Sequence, residues 1–505
     1  MVVTMATFME VLDTSVANVS LPHIAGNLSV TQDEATWVLT SYLVANAIVL
    51  PLSGWLSSLF GRKRFYMTCV ALFTTSSFLC GLAPNLPALI FFRILQGAGG
   101  GGLQPSEQAI LADTFPQEKR GMAFAIYGMA VVLAPAIGPT LGGYITDNFT
   151  WRWIFYINVP VGLTSLFLSH RLLEDPPWIA RERKGGVRID YVVLGLIVIG
   201  LGALQYVLDK GEREDWFGSN TIILFAVISA VALVSAIVWE FVVSDPIVDV
   251  KLFKSRNFAL SMLMMFSLGV VLFSTTVLLP LYVQTLLGWS AQQAGEVLSP
   301  GGLVVILFLP FVGRLLEKVD GRWLVGFGFV EIALSLFYMS TINPDIDFTT
   351  AIKYRMVQSV GLAFLFIPIS TMAYVGVPAQ KNNQVSALTN LARNMGGSVG
   401  ISLATTLLAR RAQFHQDRLV AHVTAFDPFY RRALGGLTRA LSPAGVEAAD
   451  ALHRAQAAIY AAVQRQATAL SYIDVIRLMA WVCVCLAPLV LVLKRNRPGA
   501  PAAAH

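Results

Sequence analysis

Residues 1–22 read MVVTMATFMEVLDTSVANVSLP, a run of mostly apolar and small residues that holds two carboxylates, Glu10 and Asp13, carries no base and stops at a proline. A helix rises 1.5 Å per residue, so a run of this length matches the roughly 30 Å bilayer core, which takes about 20 residues to cross. Moving outward, similar runs recur at 34–56, 65–83, 87–108, 121–143, 153–172, 190–208, 219–242, 258–285, 294–313, 323–341, 352–376, 384–409 and 470–493. Lipid offers no partner for backbone N–H and C=O groups, so each run has to satisfy them internally as a helix. The expected fold class is an all-α, polytopic membrane protein with 14 transmembrane helices. Pro22, Pro84, Pro87, Pro116, Pro344 and Pro378 fall at the ends of runs, where a missing N–H does least damage.

The 505 residues are 55% hydrophobic and 13% charged with a mean hydropathy of +0.65. Ordinary soluble domains are about a quarter charged, and no polar stretch before residue 410 is long enough to fold alone. The net charge of +6 sits in links that flank membrane runs, not on an aromatic-studded face, which argues against nucleic acid. Cys69, Cys80, Cys483 and Cys485 all lie in apolar runs, and the six histidines are scattered, so neither a disulfide framework nor a metal site is expected. No cofactor is implied. No G-x-x-x-x-G-K-[ST] phosphate loop occurs, and no cluster of nucleophiles or acids suggests an enzyme. Met1 enters the first run without a basic n-region, so that helix is expected to stay; a short basic leader upstream is an open alternative.

Charge sets the expected orientation. Links assigned to the inside (Arg62 to Arg64, Lys119 with Arg120, Arg171 to Arg188, Lys251 to Arg256, Arg314 to Arg322, Lys381, Lys494 to Arg497) hold 20 Lys and Arg. Short links assigned to the outside hold five: Arg152, Lys210, Arg213, Lys353 and Arg355. By the positive-inside rule both termini face the cytoplasm of an inner membrane; the eight Arg of 410–469 are largely exempt because that link is long. Gly54-Trp55-Leu56 leading to Gly61-Arg62-Lys63-Arg64 is echoed by Gly313-Arg314-Leu315 leading to Asp320-Gly321-Arg322. This coarse repeat divides the chain into a six-helix bundle with its cytoplasmic linker (1–189), two inserted helices (190–243) and a second six-helix bundle (244–505) that includes a periplasmic segment, 410–469. Such repeats are common in transporters, whose sites lie near mid-membrane between the halves.

Four motifs occur in order: Leu12-Asp13-Thr14-Ser15-Val16-Ala17-Asn18-Val19-Ser20-Leu21-Pro22; Gly54-x-Leu56-x-x-x-x-Gly61-Arg62-Lys63-Arg64; Arg93-x-x-Gln96-Gly97-x-Gly99; and Pro135-x-x-Gly138-Pro139-x-x-Gly142-Gly143. Together they resemble the major facilitator superfamily, and within it the fourteen-helix drug:proton antiporters of the EmrB/QacA type, over essentially the whole chain. The resemblance implies a major facilitator fold and export of small amphipathic toxic compounds, driven by inward protons as the coupling ion, with antibiotic resistance as a consequence. Its Gram-negative members further imply a periplasmic adaptor (membrane fusion protein) and an outer-membrane channel as partners. Ser57-Ser58 stands where the family loop carries an acid, so a carboxylate for the loop bases is missing there and weaker gating is expected. Within transport, proton-coupled uptake is the alternative; a non-transporting membrane sensor is another.

Asp13 is the leading proton-coupling candidate, because an ionisable group inside a membrane helix is expensive and marks function by default. Glu10 lies one turn away on the same face. Asp13 is nine residues before Pro22 (~13 Å) and Arg93 six after Pro87 (~9 Å), so opposed helices bring the two to similar depth and pair them; a static ion pair is the plain alternative. Glu107, about 21 Å along the helix from Arg93, reads either as a binder of protons or cationic drugs or as an interfacial acid that snorkels. Asp474 and Arg477 are expected to neutralise each other at i,i+3, and Glu331 has no visible role. Gly97 to Gly102 fits G-x-G-x-x-G only formally, with no βαβ unit around it; tight packing or bending of a cavity helix is the better account. Pro135, Gly138, Pro139, Gly142 and Gly143 are read as an occluding hinge or a fixed kink, and Gly54, Gly61, Arg62, Lys63 and Arg64 as a cytoplasmic latch or simple topology anchors. Trp37, Tyr42, Asn46, Gln96, Asn158, Tyr282 and Gln284 are the expected substrate-cavity residues. The segment 410–469 reads from about Ser442 as an amphipathic helix able to dock an adaptor, or as a solvated hairpin extending the last two spans.

Overall fold

The computed structural model describes residues 2–116, 119–174, 190–243, 246–441 and 448–493. The expected linker bases Arg181 to Arg188, the bases Lys494 to Arg497 and the expected helix start at Ser442 lie outside the described residues.

Helices account for nearly all of the rest, and no strand occurs among the described residues. In chain order the principal ones are α1 (Val2–Leu28), α2 (Trp37–Phe60), α3 (Arg62–Leu82), α4 (Leu86–Gly100), α5 (Leu103–Thr114), α6 (Arg120–Asn148), α7 (Asn158–Leu172), α8 (Tyr191–Lys210), α9 (Asn220–Val242), α10 (Arg256–Leu287), α11 (Ala291–Leu316), α12 (Gly321–Met339), α13 (Phe348–Ala373), α14 (Asn382–Val420), α15 (Pro428–Ala440) and α16 (Ala448–Leu486). Eleven described helical units are long and apolar enough to cross a membrane, α4 and α5 counting as one, and twelve if the bent α6 is included. The expected spans 153–172 and 384–409 are helical but fall outside that measure. The first is a one-turn helix, Trp153–Tyr156, followed by the 15-residue α7, and the second lies in α14, whose membrane portion carries Asn390, Arg393 and Asn394.

Local chemistry sets the boundaries. Asn85 caps α4 by accepting from the Ala88 N–H at 3.0 Å, with Pro87 in the first turn. Ser290 and Gln293 form a reciprocal capping box at the start of α11. Gly61 separates α2 from α3 at φ +90°, a backbone shape that a side chain disfavours. Phe115 is extended ahead of Pro116, which ends α5.

Helix α1 packs along α6, α2 and α3 against α4, α8 on α9, α12 on α13, and α10 and α16 on α14. Two seams, α6 along α11 and α2 along α14, join the helices before residue 150 to those after residue 290. Glycine makes both seams close: a methyl group on Gly54 would stand 3.0 Å from the Asn383 carbonyl oxygen, and one on Gly121 would stand 2.9 Å from that of Gly313. The outer face of α9 leaves Leu224, Val231, Val234 and Val242 exposed, the apolar surface that a lipid-facing helix presents.

Two sequence expectations change here, and for 410–469 the hairpin alternative is the one observed. Helices α14 and α16 each run 39 residues and pack together, so the described parts of 410–469 extend the last two spans, with α15 laid on α16. Asp474 pairs with Arg411 (2.5 Å) and His415 (2.7 Å) across that hairpin, while Arg477 turns to the Ser340 hydroxyl at 3.4 Å. Arg355 is no link residue: it lies two turns inside α13 and is 7% exposed.

Candidate functional site

Asp13 and Arg93 meet at the centre of the first helices. The Arg93 Nη1 donates to Asp13 Oδ2 at 2.5 Å, and both side chains are sealed from solvent. The other carboxylate oxygen accepts from Gln96 Nε2 at 2.9 Å and from Asn158 Nδ2 at 2.7 Å. Arg93 also donates to the Val38 carbonyl (2.9 Å) and to Gln96 Oε1 (2.8 Å), and its guanidinium lies 4.3 Å from the Tyr42 ring centroid. Helices α1, α4 and α7 thus supply the acid, the base and two amides. Helix α1 is wedged here by α6: a Cβ on Gly138 would be 2.5 Å from that of Ser15, and one on Gly142 would be 3.0 Å from Val16 Cγ1.

Glu10, one turn earlier, faces elsewhere. It lines a cavity bounded by both groups of helices. Its carboxylate accepts from Tyr42 (3.1 Å), Asn46 (3.2 Å) and Gln104 (2.6 Å). Gln104 Oε1 in turn accepts from Arg393 of α14 and from the Tyr127 hydroxyl at 3.1 Å. Arg393 continues to Asn390 Oδ1 at 3.0 Å, so one chain of polar contacts runs from α1 through α5 to α14. The cavity wall is otherwise apolar, with Val131, Leu272, Leu298 and Leu362, and Pro135 sits in it at the point where α6 bends by 41°. A proline removes one helical hydrogen bond, which accounts for the bend.

Of the expected cavity residues, Tyr42 and Asn46 line the cavity. Gln96 and Asn158 are spent on Asp13. Trp37 is 37% exposed, stacked on Tyr206 with Lys210 over its ring. Tyr282 is buried edge-on against Tyr472, and Gln284 faces outward at an exposed position. Helical phase turns these five away from the cavity, which an amphipathic count cannot reveal in helices buried on several sides.

Glu107 does not snorkel: it is fully buried in α5 facing Thr4 and Thr7 of α1, away from both the cavity lining and Arg93. Gly99 and Gly101 in the glycine run allow close packing, since added methyls would come within 2.7 Å of the Phe73 N and 2.6 Å of the Asn46 O, and the helix breaks between α4 and α5 at Gly101 and Gly102. Gly143 has open space where a side chain would be, so no packing reason fixes it.

The loop bases do have a carboxylate, supplied from a place the motif does not include. Arg62 is 2% exposed, forms an ion pair with Asp113 at the end of α5 and donates to the Ala109 carbonyl at 3.2 Å. Asp113 also accepts from Asn382 Nδ2 at 2.6 Å, which ties the first helices to α14. Lys63 donates to the His170 carbonyl at 2.7 Å, and Arg64 is exposed.

A cavity between two groups of spans, with a sealed acid–base pair beside it, is the arrangement that membrane transporters use. Residues 3–401 match the family model of the Major Facilitator Superfamily, and the chain belongs to that family. It is 41% identical to the multidrug export protein EmrB of Haemophilus influenzae over 84% of this chain and 82% of that one. It is 39% identical to the fatty acid resistance protein FarB of Neisseria gonorrhoeae, covering 84% and 83% respectively. Among solved structures, the proton:xylose symporter XylE overlays with a TM-score of 0.62 at 15% identity, over 98% of this chain and 95% of that one, which shows the fold alone. The protein is therefore a multi-pass membrane transporter of the major facilitator type.

Proposed function

We propose that the chain is a proton-coupled multidrug exporter of the inner membrane that works by alternating access between a bundle spanning 1–189 and one spanning 244–505, with helices 190–243 inserted between them. The observation that carries this reading is the placement of two acids one turn apart on α1, Glu10 on the cavity and Asp13 sealed against Arg93. A proton reaching Asp13 neutralises it and releases Arg93 to its remaining acceptors, which changes the balance of contacts among α1, α4 and α7. A substrate in the cavity meets Glu10 first. The membrane potential supplies ~2.3 kcal/mol per charge per 100 mV to such a cycle.

The Arg62–Asp113–Asn382 contact and the Gly54 and Gly121 approaches act as the cytoplasmic latch, holding that end shut; the Pro135 to Gly143 stretch acts as the hinge. Both termini are cytoplasmic in this reading. The α14–α16 hairpin stands outside and docks a periplasmic adaptor that leads to an outer-membrane channel. The multidrug export relatives support amphipathic toxic compounds as substrates.

Ethidium accumulation in cells with and without the protein tests the reading. The protein should lower accumulation, and collapsing the proton gradient should remove the difference. Higher accumulation would make it an uptake symporter; no difference would leave a sensor.

A further inference from the structure

The Asp13 cluster has a counterpart in the second half with one charge missing. Arg355-Met356-Val357-Gln358 repeats the spacing of Arg93-Ile94-Leu95-Gln96, and Thr275, Arg355 and Gln358 each lie 262 residues beyond Asp13, Arg93 and Gln96. The contacts repeat too. Arg93 donates to Gln96 Oε1 at 2.8 Å and Gln96 to Asp13 at 2.9 Å; Arg355 donates to Gln358 Oε1 at 2.9 Å and Gln358 to the Thr275 hydroxyl at 3.0 Å. Helix α13 stands for α4, and α10 for α1. Where Asp13 offers Arg93 a carboxylate, Thr275 offers Arg355 only a hydroxyl at 3.4 Å, with Thr276 adding another at 3.2 Å.

No carboxylate pairs with Arg355 among the described residues, and its buried Nε has no hydrogen-bond partner. Unlike Arg93, it lines the central cavity. Gly301 of α11 makes room for it, since a Cβ there would stand 2.7 Å from Arg355 Cγ. The charged side chains on the cavity wall are Glu10, Arg355 and Arg393. Glu10 reaches Arg393 through Gln104, which leaves the Arg355 charge uncompensated. A buried cation without a counter-ion is unfavourable, and a ligand that brings the anion recovers that free energy on binding.

We propose that Arg355 is the recognition site for the acidic head of an amphipathic anion, a sulfonate or carboxylate on an apolar body, whose body packs on Leu272, Leu298 and Leu362. The assignment names a substrate class for the exporter and rests on that reading for turnover, though not for binding. An acidic lipid head shares this chemistry and has to be separated from a transported compound.

The test uses the full chain in nanodiscs of phosphatidylcholine alone, with equilibrium binding of two probes of fixed charge, anionic 8-anilinonaphthalene-1-sulfonate and cationic ethidium. Arg355→Gln should weaken the sulfonate by about ten- to a hundred-fold, Arg355→Lys should restore most of it, and ethidium should bind as before or tighter. Thr275→Asp, which keeps the arginine but gives it the internal acid of the first half, should weaken the sulfonate to a similar degree; it decides the matter if Arg355→Gln fails to fold. Sulfonate affinity unchanged in both variants, or ethidium weakened equally, overturns the proposal. Displacement of the sulfonate from the unmodified protein by added phosphatidylglycerol makes a lipid the occupant and overturns it as well. In proteoliposomes, absence of gradient-driven export of either probe sinks the exporter reading and leaves the binding result standing, whereas ethidium export with sulfonate binding indifferent to Arg355 sinks this inference alone.

Discussion

Asn382→Ala isolates the strength of the latch. The Arg62–Asp113 pair joins α3 to α5, both within the first of the two proposed bundles, so the proposed tilt of one bundle against the other leaves it intact. The bond from Asn382 Nδ2 to Asp113, at 2.6 Å and part-buried, is the part that crosses to α14 and, in the proposed cycle, breaks when the cytoplasmic end opens. A hydrogen bond to a charged group contributes about 1.5–3 kcal/mol. Its loss should therefore shift the closed-to-open ratio at that end by roughly 10- to 150-fold. Spin labels at Arg64→Cys and Gln380→Cys, both exposed positions, would report the separation in a background without the exposed Cys485. Pulsed electron–electron resonance should show a longer distance component that grows on Asn382→Ala and grows further on Asn382→Asp, where two carboxylates oppose each other. Identical distributions in all three proteins would refute the latch.

Gly138→Leu should drive the side chain into Ser15, two residues from Asp13, and reduce gradient-driven ethidium export at least about ten-fold while costing about 1–3 kcal/mol of stability; full activity at normal expression would argue against the wedge. Replacing 421–468 by a short linker should spare ethidium transport in everted inner-membrane vesicles yet abolish drug resistance in whole cells. Retained resistance would separate the α14–α16 hairpin from any adaptor.

Most of the spans were readable because their length and apolarity answer to the bilayer and not to tertiary detail, and Asp13 and Arg93 were readable because depth along two opposed helices is simple arithmetic. Direction around the helix axis was not. Trp37, Asn158 and Tyr282 satisfy every compositional test for a cavity, yet helices packed on several sides give no single polar face from which to read phase. Asp113 escaped notice because it lies about fifty residues from Arg62, outside the local motif, at the far end of the span formed by α4 and α5. Arg355 was misplaced for a related reason: a base one turn from a span boundary looks interfacial by hydropathy whether it points to water or to an internal cavity. The 262-residue spacing that pairs it with Arg93 was present in the sequence as a signal all along.

Simultaneous recording of ethidium export and proton uptake in proteoliposomes with an imposed pH gradient, comparing the unmodified protein with Asp13→Asn, tests the coupling scheme most directly. The scheme predicts that the unmodified protein moves protons only when ethidium moves, and that Asp13→Asn abolishes gradient-driven export and its proton flux while still exchanging labelled for unlabelled ethidium. Gradient-driven export at the unmodified rate in Asp13→Asn, with proton flux intact, would contradict it.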